Sequence, residues 1–221
     1  MDNLKYSEFV EMVESYKILP FSSFVPDYPS LTAAAVNNQW HTDAETDPWL
    51  WRIRIVQEGH AAYGKFFGDK LCFIKKDLFP VVKTVLTLDK TIDERYNDGL
   101  ISRPAYHLYY VLLEQGNVDS RNLRKLAGLS AKEDKKVYDK ALIELQNNGD
   151  VVITGAEKPN GNELAWSSMC YEPSNLWIQS INPKDNLSLV EAKKLLISEL
   201  SKTCSDKAFK YFSKKLQLHM I

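Results

Sequence analysis

Apolar residues recur at helical spacing from the start of the chain. Between Leu4 and Ile18, the side chains of Phe9, Val10, Met12, Val13 and Tyr16 gather on one side, which predicts an amphipathic helix. Pro20, Pro26 and Pro29 keep the next stretch extended or turning, and Ser30 is placed to cap a short helix through Val36. Asp47-Pro48 is a capping residue followed by proline at the first helical position, so PWLWRIRIVQEG reads as a helix stopped by Gly59. AAYGKFFGDKLCFI is aromatic and β-branched, which suggests two short strands around Gly68-Asp69. KKDLFPVVKTVL returns to helical spacing, with Asp77 as the candidate cap and Pro80 in the first turn. TIDERYNDGL predicts a further short helix ending at Gly99.

From Ser102 the pattern becomes more specific. SRPAYHLYYVLLEQ is a helix with Ser102 as cap, Pro104 in its first turn and Gly116 as its stop. VDSRNLRKLAGL is a second helix, capped by Asp119 or Ser120 and ended by Gly128. Ser130 caps a third, AKEDKKVYDKALIELQNN, whose Val137, Ala141, Leu142 and Leu145 form one apolar face. VVITGAE and ELAWSSMCY then read as two strands joined by the turn KPNGN. Helix, helix, longer helix and hairpin is the order of a winged helix-turn-helix, and the Gly128-Leu129-Ser130 link suits a tight corner. Two more helices follow, one from Ser188 to Lys202 and one from Asp206. The expected fold class is mainly α with a small β component (α+β). In this reading residues 1–100 are a helical, aromatic-rich region with a short strand pair, 101–178 the winged helix, and 179–221 terminal helices packing on it.

Composition narrows the chemistry. The chain has 221 residues, 44% hydrophobic and 26% charged, which fits a globular protein. The apolar run Val81–Leu88 is interrupted by Lys83 and is too short to cross a bilayer, so no membrane partner is expected. MDNLKYSEFVEM lacks the basic start and apolar core of a signal peptide, which points to a cytoplasmic location. Cys72, Cys170 and Cys204 are far apart and share no C-x-x-C spacing, so free thiols are expected. His41, His60, His107 and His219 are equally scattered, which leaves no metal site to propose. No nucleotide-binding or hydrolase motif is present, and no cofactor is expected.

A net charge of −1 gives no global footprint for nucleic acid, so any such role must rest on a local patch. The third helix of the winged helix offers Lys132, Lys135, Lys136 and Lys140. Arg124 lies on the helix before it, and Lys158 on the wing. These six are the candidate DNA contacts. From Asp119 to Asp150, seven basic residues stand against six acidic ones, a balance of +1, so a solvated helix surface is the competing reading. Trp40, Trp49, Trp51, Tyr63, Phe66 and Phe67 could stack bases beside Arg52, Arg54 and Lys65, or build a core.

Several stretches carry a family resemblance. They are Trp40–Thr42 (WHT), Asp47–Arg52 (DPWLWR), Ala62–Lys65 (AYGK) and the run from Phe73 to Pro80. To these add Leu126–Gly128 (LAG) and WSSMCYEPSNLW with Trp166 and Trp177. Together they resemble the bacterial AlkZ-related proteins over roughly residues 40 to 178. That resemblance implies a winged-helix protein related to the AlkZ and YcaQ DNA glycosylases, which excise alkylated or cross-linked bases. Their Gln-x-Gln or Gln-x-Asp signature positions a water that attacks the sugar carbon as the base leaves. Here it falls on Gln146 and Asn148. Gln146 matches. Asn148 is shorter than Gln and lacks the charge of Asp, and Asn148-Gly149 also reads as a helix stop. The resemblance thus implies DNA as partner and a possible N-glycosyl hydrolase. The alternatives are an interaction module that has lost the chemistry, and a MarR-like regulator dimerising through its terminal helices.

Overall fold

The computed structural model describes residues 3–158, 167–180 and 187–218. Among them the chain forms eleven α-helices and two antiparallel three-stranded sheets, an α+β architecture. The first sheet joins β1 (Ile18–Pro20), β2 (Ala61–Phe67) and β3 (Lys70–Lys75) in the order β1-β3-β2. Around it lie α1 (Tyr6–Tyr16), α2 (Leu31–Ala34), α3 (Pro48–Gln57), α4 (Phe79–Leu86) and α5 (Ile92–Asn97). The second half runs α6 (Arg103–Gln115), β4 (Val118–Asp119), α7 (Ser120–Leu126), α8 (Lys135–Asn147), β5 (Val151–Glu157) and β6 (Ser168–Pro173). Its sheet order is β4-β6-β5. Then come α9 (Ser174–Ser180), α10 (Leu189–Thr203) and α11 (Asp206–Lys215).

Local chemistry sets most of these boundaries. Ser30, Asp47, Thr91, Ser102, Asp119, Ser188 and Ser205 each accept a backbone N–H from the first turn of the helix they cap. Four expectations are corrected. The first helix ends at Tyr16, because Lys17 turns to φ 68° and Ile18, Leu19 and Pro20 leave as a fully buried strand. Asp77 is no cap; Leu78 holds that position, and the Asp77 carboxylate sits 3.7 Å from Lys75. Ser130 is no cap either. The Arg124 guanidinium donates to the carbonyls of Leu129 (2.6 Å), Ser130 (3.3 Å) and Ala131, which holds the link in a non-helical path until Lys135. Val118–Asp119 adds a third strand to the expected hairpin. The hairpin's turn at 159–162 lies outside the described residues.

The core is one continuous cluster that crosses both expected boundaries, at 100 and at 178. Its centre is aromatic: Phe73 meets Phe9 edge-on at 5.0 Å and stacks on Tyr63 at 4.8 Å. Trp51, Tyr63, Phe66 and Phe67 are all buried, as the core reading of the aromatics requires. The α10 helix packs on α4 and α1, and Phe212 of α11 reaches Phe67 and Tyr28. Leu216 and Leu218 are buried in the same chain.

The two halves meet where α8 ends. Strand β2 is an edge strand with an irregularity between Gly64 and Phe67, which releases backbone N–H groups from the ladder. Side-chain acceptors from the end of α8 meet two backbone donors at this edge. Gln146 supplies its Oε1 to the Lys65 N–H at 3.1 Å, and Asn147 supplies its Oδ1 to the Gly68 N–H. The helix then stops in a Schellman arrangement: Gly149 donates to the Gln146 carbonyl and Asp150 to that of Leu145, both at 2.9 Å, with Gly149 at φ 69°. A Cβ on Gly149 would find room, its nearest neighbour being Lys83 Cβ at 3.6 Å. Gly149→Ala should therefore cost only the left-handed backbone penalty, about 1–2 kcal/mol in a chemical denaturation curve.

Candidate functional site

Asp150 leaves the α8 stop with its carboxylate turned inward, 3% exposed. Arg95, from the end of α5 and equally buried, grips it with two parallel bonds: Nη2 to Oδ1 at 2.6 Å and Nη1 to Oδ2 at 3.0 Å. Such a pair ties residue 95 to residue 150 across the two sheets. Its desolvation cost is offset only while both partners are present. Beside it, Lys83 projects from α4. Its ammonium donates to Ser174 Oγ at 2.8 Å and to Asn175 Oδ1, while Ser174 Oγ donates in turn to the Gly149 carbonyl at 2.6 Å.

These groups form the floor of a cleft of about 880 Å³. Its walls come from α4, α5, α6, α9 and α10; Pro80, Ile92, Tyr109, Leu113, Ile178 and Leu195 supply the apolar part. Enclosure acts on Lys83, Asp150 and Tyr109. Burial lowers the Lys83 ammonium to about 8; Asp150 opposes that shift and Arg95 adds to it. Burial also raises the Asp150 carboxyl above its usual range, against the pull of Arg95 and Lys83. Tyr109 is raised by burial and then by Asp150. A lysine near neutrality next to a carboxylate in a large cleft is the arrangement expected of a functional site.

The residues singled out from sequence fall elsewhere, and in two groups. Gln146 is 1% exposed; besides binding Lys65, its Nε2 donates to the Leu142 carbonyl at 3.2 Å. Asn148 is half-buried one turn-position on, at the rim of a separate cavity of about 160 Å³ shared with Leu100, Arg95 and Lys215. The amide of Gln146 thus points at β2 and Asn148 toward α11, and the two do not converge on one opening. Lys132, Lys135, Lys136, Lys140 and Lys158 are exposed. Lys135 pairs with Asp139 one turn on. Arg124 is committed to the carbonyls of the α7–α8 link.

Sequence reasoning passed over Lys83, Arg95 and Asp150. Lys83 left one trace, a cation interrupting the apolar run Val81–Leu88. Arg95 and Asp150 left none, because their partnership spans 55 positions. Among the other motif residues, Asp47 is fully buried and accepts from the N–H groups of Thr42, Asp43 and Trp49, which shapes the WHT–DPW loop. Arg52 lies 3.5 Å over the Trp49 ring, an internal stacking rather than an open one. The three cysteines are free. Among the described residues no helix is long and apolar enough to cross a membrane.

The loop shaped by Asp47, the buried AYGK strand and the α8 corner all lie within residues 4–217, which match the profile of a single family described as AlkZ related. The chain belongs to the AlkZ-related family. Neither a curated protein nor a solved structure matches it. Within this AlkZ-related chain the WHT, DPWLWR and AYGK segments build the core and its loops, and the polar cleft is assembled from positions outside them.

Two outcomes follow from the buried charges. Arg95→Met leaves Asp150 without its partner and should cost about 3–5 kcal/mol of unfolding free energy; the double variant Arg95→Met/Asp150→Leu should recover most of it. Lys83 works in the opposite sense. Its folded value of about 8 lies below the unfolded 10.5, so its penalty is fully present below pH 8 and vanishes as pH rises toward 10.5. Lys83→Met should therefore be the more stable protein at pH 7, by up to about 3 kcal/mol, with the gap closing by pH 10.5 in thermal melts.

Proposed function

We propose that this AlkZ-related protein binds duplex DNA through a winged helix formed by residues 102–180. The order α6-β4-α7-α8-β5-β6 with sheet order β4-β6-β5 supports that reading: three helices, a short strand between the first two, and a hairpin after the third. The observation that carries it is the outer face of α8. Lys136 and Lys140 stand one turn apart on that face, exposed, and neither makes an ion pair with the described residues. Like charges at that spacing destabilise a helix slightly unless a counter-anion meets them. Lys132 continues the row into the preceding turn, and Lys158 lies at the base of the hairpin tip. Two nearby acids are already engaged, Asp139 by Lys135 and Glu144 by the Ser102 hydroxyl and N–H. In a winged helix the third helix is the one that enters the major groove.

The resemblance to excision glycosylases assigns water handling to Gln146 and Asn148. The hydrogen bonds of Gln146 to β2 and to its own helix favour a binding protein without excision at these residues. The row of lysines makes the interaction electrostatic and tolerant of sequence. Fluorescence anisotropy with a labelled duplex should give binding at low salt, with log K falling against log [salt] at a slope of about −3 for three or four phosphate contacts. Lys136→Glu/Lys140→Glu should weaken binding at least tenfold and flatten the slope. A slope unchanged in that variant removes α8 from the interface. Abasic sites appearing in a duplex with an alkylated purine, and lost in Asn148→Ala at an unchanged unfolding midpoint, would restore the enzymatic reading.

A further inference from the structure

We infer that the cleft floored by Lys83, Arg95 and Asp150 is a binding site for a small organic anion, with a phosphate monoester or carboxylate head held by Lys83 and Arg95 and an apolar or aromatic body against Tyr109 and Leu113. Two cations stand on that floor against one carboxylate, so it carries a net positive charge even with the Arg95–Asp150 pair intact. Both arginine Nη atoms are spent on Asp150, but the buried Arg95 Nε has no hydrogen-bond partner. A buried guanidinium N–H without an acceptor is costly, and an anionic oxygen satisfies it. Lys83 has only neutral acceptors, Ser174 and Asn175, so it can exchange one of them for a ligand oxygen.

The groups facing Lys83 from the packed elements are Arg95 of α5 and Asp150 of the α8–β5 corner. On the rim, Asp93 is held by the hydroxyls of Tyr106 and Tyr110 at 2.7 and 2.8 Å, and Lys90 by Asp98. Lys76, Asp77 and Asp89 complete the charged lining, whose four cations and four carboxylates balance as a whole, so the positive excess is confined to the floor around Lys83 and Arg95. The same floor repels a cationic alkylated base, so the site is distinct from an excision pocket for such a lesion. A cleft of about 880 Å³ is ample for a mononucleotide-sized molecule.

The test is isothermal titration of the full chain at pH 8 and constant ionic strength, in two buffers of different ionisation heat. Thymidine 5′-monophosphate, benzoate and uncharged thymidine are the probes. Saturable one-to-one binding of the monophosphate or of benzoate is expected, and which of the two binds identifies the head group. Binding should draw about half a proton per ligand from solution, as the anion holds Lys83 charged. Lys83→Met, which loses a desolvated cation and keeps its fold, should bind at least tenfold more weakly and take up no proton. Absence of saturable binding by both anions overturns the inference. So does equal binding by Lys83→Met, or thymidine binding as tightly as its monophosphate.

Discussion

A charge buried between two layers must be answered from both of them, and the Arg95–Asp150 pair is where this molecule meets that requirement. Arg95 lies in the last turn of a short helix of the first half. Asp150 follows the helix stop that opens the second sheet. Neither can move without stranding the other in a low-dielectric interior. The pair therefore sets the angle at which the α8–β5 corner meets α5, and with it the opening of the cleft above. Lys83 sits in the same enclosure and feels it as a lowered affinity for its proton.

The five residues Gln146, Asn147, Asn148, Gly149 and Asp150 act together at that corner. Gln146 answers a donor within the irregularity of β2, the Lys65 N–H, and Asn147 answers the Gly68 N–H just past the strand. Gly149 takes the left-handed turn, and Asp150 carries the buried charge. An edge strand with unpaired amides invites unwanted pairing. Covering it with the last turn of a helix removes that hazard and joins two sheets that share no ladder. Within the polar cluster, the side chains of Gln146 and Asn147 are engaged in hydrogen bonds internal to the fold, while Asn148 borders a small cavity.

The two proposed activities use different surfaces. Lys136 and Lys140 are exposed on α8, whose inner face buries Tyr138, Ala141, Leu142 and Leu145, while Val137, expected on that apolar face, stays exposed. The cleft lies among α4, α5, α6 and α10, built from both halves of the chain, and its chemistry is that of a small site rather than of a groove for a polymer. The α6 helix borders the cleft and packs on α8.

Helix positions, caps and the strand pair were legible in the chain because they depend on neighbours a few residues apart. Ser102, Asp119 and Gly149 act within one turn of themselves, and the helix–helix–helix–hairpin order follows from that spacing. The α7–α8 link was misread because Arg124 reaches forward over seven positions to hold carbonyls that Ser130 would otherwise have begun to cap. The role of Gln146 was hidden for the same reason at greater range, since its partner Lys65 lies 81 positions away. Sequence by itself determined most of the helices, the strands β2, β3 and β5, and which family the chain resembles, since those rest on local pattern. Only the tertiary structure decided which polar residues are spent inside the fold and which face an opening, because burial and long-range pairing exist only once distant segments have packed.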